Sequence, residues 1–226
     1  MTLPLQIQKD INEMMRALIR NALVNAQHFP VIRGKVDREC AIGFENDDKI
    51  SLSFGLDKYE DIYDRLLDNQ VYSMRLLDGG LVQISYSFSS AIMTQHRLAY
   101  YPNPHADRDG DLYYDCEESE NIALMLLQRN VVRFPIRFDY NFDEKLFMPI
   151  EHPRSHLTLG NFECCRIPVS SPMPPIDFMR FIIRNFYRLP GVPSVEILPS
   201  SSVSALPRTI DALEQKEFHV DIARSV

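Results

Sequence analysis

Apolar positions recur at helical spacing near both ends of this chain and alternate with polar positions through its middle. Ile7, Ile11, Met14, Met15, Leu18 and Ala22 share one stripe, while Lys9, Arg16 and Arg20 fall away from it. That period predicts an amphipathic helix from Leu5 to Gln27, punctuated by Pro4 and Pro30. Tyr59, Ile62, Tyr63, Leu66 and Leu67 predict a second helix over Lys58–Asn69. A third, opened by Pro174-Pro175, carries Phe178, Met179, Ile182 and Phe186 on one face and Arg180, Arg184 and Arg188 on another.

Between these helices the period is two. Two short strands are expected between Glu39 and Phe54, joined by a turn at Asn46-Asp47-Asp48. Tyr72 to Tyr101 reads as a β-meander turning at Asp78-Gly79-Gly80, because glycine supplies the positive φ of such turns. Val82, Ile84, Tyr86 and Phe88 alternate with Gln83, Ser85 and Ser87, so one face is buried and the other wet. Ile92–Tyr101 forms the next strand, and a helix is expected over Glu120–Gln128. Val131–Tyr140 resumes the sheet, with Pro135 marking an edge strand or a bulge. His156–Val169 is a hairpin around Gly160-Asn161, with Leu157, Leu159 and Ile167 inward. Beyond Pro190, a Pro/Ser-rich connection leads to a tail with a short helix and a strand, Phe218–Ile222.

The sum is an α+β fold, a mainly antiparallel sheet with N-terminal and C-terminal amphipathic helices packed on one face. Residues 1–190 form one domain, and residues 191–226 a tail packed on it or extending from it. A chain of 226 residues with 45% hydrophobic and 10% aromatic content is long and apolar enough to bury a substantial core. Its net charge of -7 argues against bulk electrostatic coating of nucleic acid. The charge is uneven, however. Residues 100–128 hold seven acidic groups against Arg108 alone, whereas residues 129–190 hold nine basic against six acidic, nearly all of the basic ones arginine. Arginine presents a planar fork to phosphate or carboxylate. Cys40, Cys116, Cys164 and Cys165 have no metal-type spacing and read as free thiols of a reducing compartment. With no signal core and no membrane-length apolar run, the expected location is the cytoplasm.

The densest potential chemistry lies between Arg133 and Tyr187. Pro153 opposes a helical pairing of His152 with His156, so a loop entering a strand is expected. His156 and Thr158 then project from one face, where an imidazole and a hydroxyl can bind a phosphate oxygen and move a proton near neutral pH. His156, His152 and Thr158 are the catalytic candidates; Arg166, Arg154, Arg137 and Arg133 are the candidate phosphate ligands. The competing reading has the histidines tying a loop to the sheet and the arginines paired with Asp139, Glu151 and Glu163. No cofactor is implied. A weaker metal alternative is the acidic run Asp107, Asp109, Asp111, Asp115 and Glu118, spaced like an EF-hand calcium loop, although Leu112 stands where that loop needs glycine. Asp61 with Asp64, or Asp139 with Glu151, are possible nuclease carboxylates whose geometry the sequence leaves open.

His156-Leu157-Thr158 resembles the histidine-x-threonine element of the 2H phosphoesterases, RNA-processing enzymes with two such motifs, but one copy stands here because His96-Arg97-Leu98 lacks the hydroxyl. A longer series of landmarks runs Tyr72-Ser73, Asp78-Gly79, Gln83-Ile84-Ser85-Tyr86 and Arg97-Leu98-Ala99-Tyr100-Tyr101-Pro102. It continues through His152-Pro153, His156-Leu157-Thr158, Arg166-Ile167-Pro168 and Phe186-Tyr187. This order resembles the uncharacterised bacterial domain-of-unknown-function family 2290 over roughly half the chain. The resemblance implies a bacterial cytosolic protein from a mobile-element, phage-defence or toxin-antitoxin locus. The expected function is action on a phosphate-bearing ligand such as RNA or a nucleotide, with metal-independent phosphodiester cleavage the most concrete version. The alternative is a non-enzymatic module, an adaptor, antitoxin or oligomerising subunit, docking a partner protein of the same operon through Tyr113, Tyr114, the acidic loop and the C-terminal region.

Overall fold

The computed structural model describes residues 1–49, 58–105, 132, 134–160, 165–187, 195–203 and 206–222. The acidic run 107–118, the expected helix 120–128, Arg133, Arg188, Cys116 and Cys164 lie outside them. Helix α1 (Leu3–Arg20) buries Ile7, Ile11, Met14, Met15 and Leu18, the stripe read from the sequence. It stops earlier than expected. The Asn21 side chain donates back to the Ala17 carbonyl at 2.8 Å, and Ala22 adopts φ 53. That left-handed residue ends the helix, and Val24–Gln27 leaves it as strand β1.

The strands that follow are β2 (Val31–Gly34), β3 (Glu39–Gly43), β4 (Met74–Leu76), β5 (Leu81–Ser89) and β6 (Ile92–Tyr101). The sheet continues with β7 (Ile136–Asn141), β8 (Ser155–Leu159) and β9 (Ile167–Pro168). All neighbours pair antiparallel in the order β1-β4-β5-β6-β7-β8-β9, with β3 also on β5 and β2 outside β3. One edge of β5 is therefore shared, Leu81-Val82 pairing with β4 and Tyr86–Ser89 with β3.

Of the two strands expected between Glu39 and Phe54, β3 is the first, Asn46-Asp47-Asp48 follow it, and the second lies outside the described residues. An unexpected hairpin joins β2 and β3, turning between them. Gly34 allows this turn: its φ is +88, and a Cβ there would lie 2.2 Å from the Glu39 carbonyl oxygen. The strand holding Arg137 is central, between β6 and β8, and not an edge. Pro135 precedes it, so no ladder donor is lost, and its carbonyl accepts the Gly160 N–H at 2.8 Å.

Alternation divides the sheet into two faces. Val82, Ile84, Tyr86, Leu98, Tyr100, Phe138 and Leu157 join α1 and helix α3 (Pro175–Phe186) in the main core. The two terminal helices thus pack on one face, as the sequence predicts. Residues of opposite parity, Leu81, Ala99 and Tyr101, instead meet Ile62, Tyr63 and Leu66 of helix α2 (Tyr59–Asp68) in a second core. The C-terminal segment contributes Leu198, Val203 and Leu206 to the main core, and Val220 bridges Val169 in parallel.

Candidate functional site

Among the residues of the second face, the pairing register lays Ser85, Arg97, Asp139 and His156 in one row across β5, β6, β7 and β8. The next row sets Ala99, Arg137 and Thr158 side by side. Arg97 Nε donates to Asp139 Oδ1 at 2.9 Å, with both side chains about five-sixths buried. Burial alone would raise the Asp139 carboxyl, but Arg97, Arg137 and His156 outweigh it and hold the group below the usual carboxylate range. Asp139 therefore stays ionised at neutral pH.

His156 is 6% exposed, and its Nδ1 lies 2.9 Å from the Pro153 carbonyl. A carbonyl only accepts, so Nδ1 carries the proton and Nε2 of the neutral ring is left as the basic nitrogen. His152 comes from a loop pinned by its reciprocal backbone bonds with Met148, at 2.7 and 3.2 Å. Its ring meets the His156 ring edge-on, with centroids 5.4 Å apart. Burial pushes both imidazoles below their ordinary pKa; the charge of Arg166 presses each the same way, while Asp139 pulls both back. Both rings are neutral at pH 7. Arg166 immediately precedes β9, whose Ile167 and Pro168 pair with Leu157 and His156, and its charge acts on both imidazoles.

The structure thus brings together His152, His156, Thr158, Arg137 and Arg166. Arg154 does not join them. Its guanidinium donates to both Glu144 oxygens at 2.7 and 2.6 Å and lies 4.6 Å over the Phe147 ring, lining a separate apolar groove. Strand β8 begins one residue later, so the alternation that aims His156 does not govern Arg154. On α3, Arg180 pairs with Asp177, and Arg184 is exposed. Asp64 bonds His105 at 2.7 Å, and no group of three or more His, Cys, Asp or Glu among the described residues could hold a metal ion. Cys40 and Cys165 are free thiols.

Sequence reasoning did not place Arg97 in this site or set Asp139 beside His156. Their parity was readable, but their partnership spans 42 residues and depends on strand pairing. The fold and this histidine-arginine face define an α+β protein built on an antiparallel sheet. The chain belongs to the family described as "Uncharacterized conserved protein (DUF2290)", whose model matches residues 23–222. No curated protein and no solved structure matches it. Among the described residues, no helix is long and apolar enough to cross a membrane.

Proposed function

We propose that this protein, in the bacterial cytosol, binds a phosphate-bearing ligand, RNA or a nucleotide, on the β7–β9 face. The observation that carries the reading is the contact of two neutral histidines, 5.4 Å between centroids, under the charge of Arg166. Arg166 and Arg137 supply guanidinium donors for phosphate oxygens, and the imidazoles gain a proton as the anion arrives. Thr158 stands beside Arg137 in the register and orients its neighbours.

Phosphodiester cleavage is the most concrete extension, with His156 Nε2 taking the proton of the attacking hydroxyl. The two rings touch, so a phosphate reaches both from one side; the leaving oxygen takes its proton from water, and the hydroxide so formed is neutralised by the proton that His156 accepted. Fluorescence anisotropy with labelled RNA, and hydrolysis assays on the same RNA, test both parts. Arg166→Ala and His156→Ala should each weaken binding about tenfold or more, the loss of one charge-assisted hydrogen bond. Absence of nucleic-acid and nucleotide binding, or unchanged affinity in both variants, ends the reading.

A second reading, docking of a partner protein, is supported by the loop after β7. Phe142, Leu146, Met148 and Ile150 are 45–56% exposed beside the Arg154 groove. Its test is co-purification with the product of a neighbouring gene, which Phe142→Glu should abolish.

A further inference from the structure

We infer that the ligand of this face is a single-stranded RNA longer than one nucleotide, and that one of its riboses is read in a polar cavity beyond Arg97. The inference rests on the phosphate-binding reading above and adds what the phosphate carries. A cavity of about 310 Å³ lies over β3, β5 and β6, on the same face as the histidines. It is at the small end of ligand-pocket sizes. Ser85 and Ser87 line it from β5, Gln95 and Arg97 from β6, and Asp47 from the segment after β3. Ala41 adds one methyl, and Tyr86, also at the wall, turns its ring to the opposite face, where its hydroxyl donates to the Met173 carbonyl at 2.8 Å.

This lining selects among nucleic-acid chemistries. Hydroxyls and an amide donate and accept, and Asp47, paired with Arg33, accepts. Among the described residues that line it, none presents an aromatic face for base stacking, the usual grip on single strands, since the rings of Tyr86 and His96 turn to the opposite face. A set of small groups able to donate and accept suits sugar hydroxyls, and the 2′-hydroxyl is the group that separates RNA from DNA.

The row Ser85, Arg97, Asp139, His156 fixes the spacing between cavity and histidines. Strands lie about 4.8 Å apart, so a point between β5 and β6 is about 12 Å from His156 on β8. A ribose and its own phosphate are joined through one or two atoms and cannot span that distance. A short strand laid across the sheet can, with Arg97 facing the linkage between its two ends.

The test uses the full chain and three probes in anisotropy or calorimetry. They are an RNA hexamer, the same hexamer in deoxyribose with deoxyuridine kept for uridine, and uridine monophosphate. The RNA should bind about tenfold tighter than its deoxy counterpart and far tighter than the mononucleotide. Ser87→Val with Gln95→Leu should bring RNA down to the DNA level and leave DNA unchanged, whereas His156→Ala should weaken both. Ser85→Ala, a smaller change, should narrow the RNA preference if the double variant fails to fold. Equal binding of RNA and DNA, or equal binding of hexamer and mononucleotide, overturns this inference and leaves the phosphate reading standing. Binding of none of the three overturns both.

Discussion

His96 gives the sheet an acid-labile core. It belongs to β6, but its ring turns inward between Tyr86 and Tyr140, 3% exposed, and its Nε2 accepts the Met173 N–H at 3.0 Å. Burial lowers its pKa from 6.5 to about 4, against a smaller upward pull from Asp139 on the next strand. The folded ring is neutral at pH 7, whereas the unfolded ring titrates near 6.5. Between those values the unfolded chain binds a proton that the folded chain refuses. Stability is therefore fully present above pH 6.5, falls as the pH drops, and levels off below about pH 4. The gap corresponds to about 3 kcal/mol, a large share of the 5–15 kcal/mol that holds a typical domain. His96→Gln retains a polar side chain able to accept from Met173 and removes the titration. Urea unfolding of both proteins from pH 7 to pH 4 should show the wild type losing about 3 kcal/mol more than the variant. Asp139 and His156 also have lowered values and lose stability in the same direction, but they do so in both proteins, so the difference isolates His96. Parallel pH profiles, or a His96 ring that titrates near 6.5 in the NMR spectrum of the folded protein, would refute the reasoning.

Two further outcomes follow from buried contacts. Asp10, fully buried in α1, accepts the hydroxyls of Ser201 and Ser202 at 2.7 and 2.6 Å and the Ser202 N–H at 3.0 Å. Asp10→Ala should cost about 3 kcal/mol and expose residues 195–203 to limited proteolysis ahead of the sheet; unchanged stability and cleavage would contradict that clamp. Gly80 faces the buried group in which the Tyr187 hydroxyl donates to Asp78 at 2.7 Å, and a Cβ there would lie 2.8 Å from the Tyr100 ring. Gly80→Ala should therefore cost about 2 kcal/mol in urea unfolding, and a neutral result would mean the turn yields freely.

The helices and the meander were legible because a single apolar face dominates each. Tyr59–Asp68 and Ile92–Tyr101 fall within a residue of their expected bounds. Strand β1 was hidden because Ala22 extends the α1 stripe by one more turn; what ends the helix is the backbone conformation of Ala22, which periodicity does not encode. The central place of β7 was hidden because Pro135 stands one residue ahead of a strand whose ladder it never interrupts. For the site, local parity put His156 with Thr158, and the loop around Pro153 put His152 against His156. Arg154 is the instructive failure: next to β8 in sequence, it lies before the alternation starts and is captured by Glu144 and Phe147. Arg97 and Asp139 meet through register, a property of two strands and of neither alone.

The two faces of the sheet also explain how a chain of net charge -7 gathers arginine and histidine in one place. Helices α1 and α3 dictate apolar side chains along one parity of β5 to β8, so charged residues there are free to occupy only the other. On that second face α2 supplies apolar cover to Leu81, Ala99 and Tyr101, while the row from Arg97 to His156 is polar. Among the described residues of that face on β6 to β9 and the turn into β9, three guanidiniums, Arg97, Arg137 and Arg166, stand with one carboxylate, Asp139. Asp139 gives its direct bond to Arg97 and acts on Arg137 and His156 through space. At His156 the pull of Asp139 exceeds the push of Arg166, whereas at His152 Arg166 outweighs Asp139. Burial is the largest influence on both imidazoles and keeps them neutral at pH 7; an anion bound as proposed would stabilise their protonated forms. If the face binds phosphate as proposed, binding takes up protons, and affinity should rise as the pH falls toward the lowered His156 pKa, which anisotropy measured against pH checks.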